Sequence, residues 1–229
     1  LGGTDTATSI ELSGAVFISD VPTELLSANI NALTSITAST TEVVEKDDVL
    51  TRLGVTMTHN ELLSTDFWAG AVDGDVAGQA LQRLNYQANV LLSSVQVIIS
   101  SLSSGDPDGI SAVNAWGRAI INARPNDPQL SLAEPDVVKI ILQDAVSTQI
   151  PADEIADSLI TALSEVVSDV NTVLGDEALD PTSETAIGVS EISQLDLRNL
   201  TAQVFSGEID EASFVAGIDP VNLFADIPV

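Results

Sequence analysis

The chain has 229 residues, 34 of them acidic and only 7 basic, so its formal net charge is −27. This charge repels nucleic acid and anionic membrane surfaces, and no apolar run approaches the ~20 residues of a membrane span, so we expect neither nucleic-acid binding nor membrane insertion. The hydrophobic content of 45% argues against a disordered chain, and the absence of cysteine excludes disulfides and thiol chemistry.

Two environments make the charge tolerable. High salt screens the repulsion between carboxylates beyond about 10 Å or less, and millimolar divalent cations bind carboxylates that lie in clusters. Sea water supplies both. The chain opens with Leu1-Gly2-Gly3 and no initiator Met, so we expect a processed chain or a piece of a longer one.

The N-terminal segment predicts a small β element. Residues 1–9 are small and polar and indicate a linker. Ile10 to Ile18 alternates apolar and polar residues around Gly14, which predicts a strand or short hairpin. A lone hairpin is marginal in water, so it either packs on the rest of the chain or pairs with another chain. We therefore predict a linker and β element over 1–30 and a helical domain over 31–229.

The next segments predict short elements. Residues 23–36 indicate a short helix or turn followed by an extended piece, and a helix is expected from Thr37 to Leu53, with Gly54 as its stop. Short turns follow over Asn60 to Ala71. Within them Asp66 is placed to cap the segment that follows it.

The most regular stretch of the chain runs from Asp75 to Leu102. Its apolar residues recur at alternating spacings of four and three, which places them on one stripe of a single long helix. A strict heptad of this kind is typical of a seam between packed helices. The stripe consists of Ala77, Leu81, Leu84, Ala88, Leu91, Val95, Ile98 and Leu102.

The second half of the chain predicts further helices, which makes the fold mainly α: an antiparallel multi-helix bundle around one long central helix, with the β element at its N-terminus. A helix is expected to run to Ala123 after a Ser111 cap, and another starts at Pro135 with Val137, Val138, Ile140, Ile141 and Val146 inward. Three more are expected: Pro151 to Leu174 with Val173 among its inward residues, Ser183 to Phe205 with Gly207 as its stop, and Glu211 to Ala216 after an Asp210 cap.

The sequence contains no recognisable catalytic pattern. It has no nucleophile elbow, no HExxH motif and no glycine-rich phosphate loop, so no catalytic and no cofactor-binding residue is predicted. The one histidine, His59, is expected to be an exposed or capping residue. Carboxylate pairs for glycoside hydrolysis cannot be singled out among 34 acidic residues.

Acidic turns are the candidate metal sites. Asp73 and Asp75 flank one glycine, and Asp106 and Asp108 flank one proline, so these four residues are the candidate calcium ligands. Calcium takes six to eight oxygen ligands at about 2.3–2.6 Å, and neither turn completes the twelve-residue loop of a helix–loop–helix site. The competing interpretation is that these carboxylates are solvated helix caps.

Several short motifs resemble one known domain family. The segment Ile36 to Thr41 is similar to its opening motif, and Leu53-Gly54, Glu61 to Phe67 and Gly74-Asp75 follow in the order found there, before a long Ala-, Gln-, Asn- and Val-containing helix. The segment Phe205 to Val215 is similar to its closing motif. The family is an uncharacterised Ala-rich helical domain of large secreted bacterial surface proteins of the adhesin type, which also carry RTX calcium-binding repeats and cadherin-like modules.

The resemblance covers roughly residues 30–217 and implies a setting, extracellular or on the cell surface, with no catalytic residues to transfer. Our first hypothesis is a non-enzymatic structural or adhesion module whose partners are neighbouring modules of the same parent chain or identical subunits. The second is a self-assembling filament subunit that donates the Ile10 to Ile18 strand. The third is an acidic hydrolase of the halophile type, with carboxylates of raised pKa in a cleft.

Overall fold

The computed structural model describes residues 28–38, 43–102, 110–124, 126–147 and 156–217, and in these ranges the protein is mainly helical. The predicted strand, Ile10 to Ile18, lies outside the described residues. In the same ranges no helix is both long and apolar enough to cross a membrane. The described helices are α1 Ala32–Ala38, α2 Val43–Arg52, α3 His59–Ser64, α4 Phe67–Val72, α5 Val76–Leu102, α6 Ile110–Asn122, α7 Pro135–Ser147, α8 Asp157–Gly175, α9 Glu184–Ser206 and α10 Glu211–Gly217.

The long helix α5 is central to the packing. It contacts α9 and α4 most extensively, and it also contacts α1, α6, α7 and α8. Most of the predicted stripe is buried, but Leu84 and Leu102 are only partly buried and Ala77 is exposed. From residue 88 to residue 99 every residue except Asn89 is buried, including three polar ones, so this part of α5 is enclosed on all sides. The buried polar residues are Ser93, Ser94 and Gln96.

Several helices begin or end at the capping residue, proline or glycine that the sequence predicts. The Asp66 carboxylate accepts a hydrogen bond from the Ala69 N–H at 2.9 Å and so caps α4. Gly207 ends α9 with a φ of 76°, a left-handed conformation that glycine adopts without steric cost. The predicted start of α7 at Pro135 and the Asp210 cap of α10 are also confirmed.

The prediction for residues 31–53 is wrong in two respects. The piece expected to be extended contains helix α1, and Thr37 belongs to α1 rather than to the helix that includes Leu50 and Arg52, α2. The side chain of Asn31 starts α1, because its Oδ1 accepts a hydrogen bond from the Thr34 N–H at 3.1 Å. The Ser35 and Thr37 hydroxyls donate to backbone carbonyls one turn earlier, so they can be buried inside the helix.

Three further predictions about helices need correction. Ser111 lies inside α6, which begins at Ile110, and α8 begins at Asp157 rather than at Pro151, because Ala156 is extended with a ψ of 127°. Ile140 and Val173, predicted to point inward, are 36% and 38% exposed. Ile140 lies about 200° around α7 from the fully buried Val138, so the two cannot share one face.

Side-chain hydrogen bonds show how helices run relative to one another. Asn171 on α8 donates to the Leu132 carbonyl before α7 at 2.8 Å, and Lys139 on α7 donates to Asp157 at the start of α8 at 2.9 Å. These two sequence neighbours are therefore antiparallel.

Helix α9 runs alongside α5 in the same direction. The Tyr86 hydroxyl donates to the Pro181 carbonyl just before α9 at 3.1 Å, and the Ser93 hydroxyl donates to Gln194 Oε1 at 3.1 Å. Since both residue numbers increase together, the two helices share one direction.

Candidate functional site

The predicted ligands Asp73 and Asp75 lie in the exposed turn between α4 and α5. The Asp75 carboxylate accepts a hydrogen bond from the Gly78 N–H at 2.8 Å, so one of its oxygens caps α5. Asp73 is the C-terminal cap residue of α4 and donates its backbone N–H to the Ala69 carbonyl at 3.0 Å. Asp106 and Asp108 lie outside the described residues, and within those residues no three His, Cys, Asp or Glu side chains gather as a metal site would require.

Other acidic turns use their carboxylates to hold the turn itself. Hydrogen bonds from the Thr182 N–H and hydroxyl lower the pKa of Asp180, and hydrogen bonds from Ser213 lower the pKa of Asp210. Glu61 has a lowered pKa because it accepts from the Thr58 N–H and hydroxyl in a capping box. In each case the hydrogen bonds favour the charged form.

The expectation that the single histidine is exposed is wrong. His59 is the first residue of α3 and is only 4% exposed. Its Nδ1 lies 2.8 Å from the Thr37 hydroxyl of α1, and its backbone N–H donates to the Asp47 carboxylate of α2 at 2.8 Å. His59 therefore joins three helices, which is a structural role.

One cleft lies between the segment after α2 and the N-terminal half of α5. It has a volume of about 240 Å³ and is lined by Leu53, Gly54, Val55, Thr56, Met57, Ala77, Ala80, Leu81 and Leu84. These side chains are apolar except for that of Thr56, so the cleft offers few groups that could orient a ligand.

A second cleft, which we call the amide cleft, is lined by amide and aromatic side chains. It has a volume of about 270 Å³ and lies where residues 29–31 meet α4 and α5. Its lining residues are Asn29, Ile30, Asn31, Thr65, Asp66, Phe67, Trp68, Gln82 and Asn85.

The wall formed by residues 29–31 is tied to the chain just before α4. Asn29 donates its backbone N–H to the Leu63 carbonyl at 2.8 Å and its side-chain amide to the Thr65 carbonyl at 2.6 Å. Asn31 is engaged with Thr34 at the start of α1. The walls of the amide cleft are thus positioned by hydrogen bonds within the protein.

A close helix contact sets the position of α4 against α5 beside this cleft. A Cβ atom added at Gly78 would lie 2.8 Å from the backbone N of Ala71 and 2.8 Å from the backbone C of Gly70. A Cβ atom does not approach backbone atoms this closely in folded proteins, so the contact requires glycine at position 78. Trp68 and Gln82 line one cleft because the two backbones are this close.

Two polar side chains of α5 line the amide cleft from inside. Gln82 is only 5% exposed, and the Oδ1 atom of Asn85 is buried without a hydrogen-bond partner among the described residues. Trp68 of α4 lines the same cleft and is 42% exposed, whereas the other tryptophan, Trp116, is completely buried. Buried amides without partners are rare in folded proteins and call for an explanation.

Sequence reasoning missed these residues, although a signal was present. The polar residues of α5 recur at spacings of three and four on a second side of the helix, about 130° around from the apolar stripe, which is a periodic pattern in its own right. A stripe of polar side chains on a helix ordinarily faces solvent, whereas the structure buries three of these five residues and partly buries the other two. The residues are Gln82, Asn85, Asn89, Ser93 and Gln96.

Comparison of the chain with protein-family models, with curated proteins and with solved structures gave no match. The resemblance to an Ala-rich domain of bacterial surface proteins therefore stays a prediction.

Proposed function

We propose that the protein is a non-enzymatic structural or adhesion module of a large extracellular or cell-surface bacterial protein, and that it works in salty, calcium-containing water. The observation that supports this most is the way charges are distributed between the inside and the outside of the fold. The resemblance noted in the sequence points to the same setting.

Acidic and basic side chains occupy different depths. Among the residues that the structure describes, no carboxylate side chain is buried, whereas Lys46 is only 4% exposed and, of the basic residues, Arg118 alone is exposed rather than buried or partly buried. Burial lowers the pKa of Arg198. The outer surface is therefore even more uniformly negative than the net charge of −27 suggests.

Two of the partly buried cations hold loops to helices. Arg83 of α5 donates to the Glu177 and Leu179 carbonyls at 3.1 Å and 3.0 Å. Arg52 of α2 donates to the carbonyls of Ala123 and Arg124 at the end of α6. Arg124 and Lys139, in contrast, pair with the exposed carboxylates of Glu134 and Asp157 at 2.9 Å. Counterions from the solvent must balance the remaining surface carboxylates.

The finer architecture belongs to the same proposal. The helices form an antiparallel bundle around α5 wherever sequence neighbours pack together, and Ile10 to Ile18 adds a strand or hairpin. Neighbouring modules of the same parent chain, or identical subunits, are the partners. A surface of like charges favours such partners only when salt or divalent cations screen it.

The first experiment is a thermal melt followed by circular dichroism in chelator, in sodium chloride, and in sodium chloride with millimolar calcium at matched ionic strength. We expect a higher Tm in salt than in chelator at low ionic strength, because screening relieves repulsion in the folded state. A Tm that is the same in chelator, in salt and in salt with calcium would refute the proposed setting.

Calcium sites are tested by a further rise of Tm that is specific to calcium. If Asp73 and Asp75 bind the ion, the variant D73N/D75N loses this rise, whereas E165Q/D169N keeps it. The control removes the same charge from two exposed positions of α8. A rise with salt alone would identify the carboxylates as a solvated coat and would remove calcium from the proposal.

A further inference from the structure

We propose that the amide cleft binds one neutral sugar residue, whose ring stacks on Trp68 while its hydroxyl groups bond to Gln82 and Asn85. This deepens the adhesion part of the proposed function, on which it rests for its biological source, by naming the class of ligand. The binding itself is argued from the cleft alone.

The first observation is the contrast between the two aromatic residues of α4. Both line the cleft, but Phe67 is only 6% exposed and belongs to the core, whereas Trp68 is 42% exposed. An indole ring combines a large apolar face with a polar edge, so it covers ligands that are themselves apolar on one side and polar on the other. The face of a sugar ring that presents only C–H groups is such a surface.

The second observation is the chemistry of the inner wall. Each side-chain amide carries both donors and acceptors, as does each sugar hydroxyl, so the two pair in both directions. Gln82 reaches the cleft although it is 5% exposed, and the buried Oδ1 of Asn85 has no partner within the described part of the chain. Because this oxygen is enclosed, the Asn85 amide must turn toward the cleft before a ligand hydroxyl can donate to it; that hydrogen bond would then satisfy the oxygen.

The third observation is the charge of the lining residues. Asp66 is the only charged residue among them, and one of its carboxylate oxygens already accepts from the Ala69 N–H. With no cation in the lining and a net charge of −27, the cleft disfavours an anionic ligand. A neutral polyhydroxylated ligand fits this balance.

The volume limits the size of the ligand. Clefts that bury drug-sized molecules measure roughly 300–1,000 Å³. At about 270 Å³ the amide cleft suits a single ring. A longer glycan would therefore insert one residue and extend into the solvent.

The test uses the full chain and ligand-observed NMR. The probes are methyl glycosides of glucose, galactose, mannose and N-acetylglucosamine, with tetramethylammonium as a cationic probe. We expect saturable transfer from the protein to at least one glycoside in the millimolar range. In the variant W116F, Trp68 is the only tryptophan left, and its fluorescence should shift over the same concentrations.

Variants place the binding in the cleft. W68A should abolish saturable binding, and Q82L should weaken it about tenfold or more, because it removes the hydrogen-bonding groups at nearly constant size. The matched control is V72A on the same helix, which is 59% exposed and outside the cleft lining; its binding should equal that of the wild type. Circular dichroism melts verify that each variant folds.

Four outcomes would overturn the proposal: no saturable response to any glycoside, a response to tetramethylammonium only, binding that survives W68A, or binding that V72A weakens as much as W68A does. The melts in salt and calcium do not depend on this cleft. If glycosides bind but the Tm changes with neither salt nor calcium, the proposed setting is refuted and the sugar-binding proposal stands. If the Tm rises with salt but no glycoside binds, the sugar-binding proposal is refuted and the proposed setting stands.

Discussion

The two halves of α5 have the same apolar periodicity but different surroundings. In residues 76–87 only Gly78, Leu81 and Gln82 are buried, whereas in residues 88–99 all but Asn89 are buried. The first half borders both clefts and is held by hydrogen bonds from Arg83, Tyr86 and Gln87 to backbone carbonyls of residues 171–181. The second half is stabilised mainly by the burial of its side chains against neighbouring helices.

This difference shows what a heptad pattern does and does not report. The spacing of apolar residues tells which side of a helix faces a core, but not how many neighbours cover the other sides. In the second half, the Ser93 hydroxyl donates to Gln194 of α9, and the Gln194 amide in turn donates to Ser190. Small or amide side chains with partners are what allow α9 to cover a polar side of α5.

The largest effect is expected from truncating the stripe in the enclosed half. L91A removes a side chain that is fully buried and should lower the free energy of unfolding by about 2–5 kcal/mol. L84A makes the same change two turns earlier, where the leucine is only partly buried beside the apolar cleft, and should cost less than half as much. Urea denaturation measures both. Equal costs would show that the two halves of α5 are equally well packed.

A smaller effect should come from the glycine contact in the open half. G78A places a Cβ 2.8 Å from the backbone of α4 and should destabilise the protein by about 1–3 kcal/mol. The matched change is G70A, where the nearest atoms to the new Cβ lie at 3.6 Å, an ordinary contact. Because alanine also favours helix, G70A should be neutral or slightly stabilising. If G78A destabilises the protein no more than G70A does, the backbones of α4 and α5 are not as close at Gly78 as described here.

The smallest effect concerns pH and the loop that holds the open half. The pKa of Asp180 is lowered by its hydrogen bonds with Thr182, so Asp180 adds stability above about pH 4 and loses this contribution as the pH falls through its folded-state pKa. D180N should therefore have a lower Tm than the wild type near neutral pH, and the difference should shrink in acid.

The control for this prediction is E177Q in the same loop, which makes the same change of charge at an exposed side chain. Its Tm difference from the wild type should not follow the same curve. Melting curves between neutral and acidic pH give both differences. A D180N difference that stays constant down to acidic pH would contradict the assigned role of Asp180.

Local patterns predicted the elements that local chemistry controls. The Asp66 and Asp210 caps, the Pro135 start and the Gly207 stop each need only a few adjacent residues, and all four are confirmed. The predictions failed where a distant partner decides. Helix α1 has three polar residues among its buried ones, and only its complete burial under neighbouring helices shows that it belongs to the core.

The prediction of functional sites was limited in the same way, because local patterns do not show which distant residues come together. The acidic turns are conspicuous in the sequence, and where the structure describes them, residues such as Asp75 and Asp180 cap their own turns. The amide cleft joins residues from three separate segments, and none of its residue types is unusual for a helix or loop. Trp68 and Gln82 are 14 positions apart in the chain, so no local motif could indicate that they share a cleft.

The mainly helical fold and the negative charge follow from the amino-acid sequence, because periodicity, caps and charge depend on residue types and short spacings. Tertiary packing sets which polar residues of α5 are enclosed, which cations are partly buried, and where an amide oxygen is left without a partner among the described residues. Burial depends on which helices pack together, and glycine at position 78 lets α4 and α5 meet closely enough to shape the cleft.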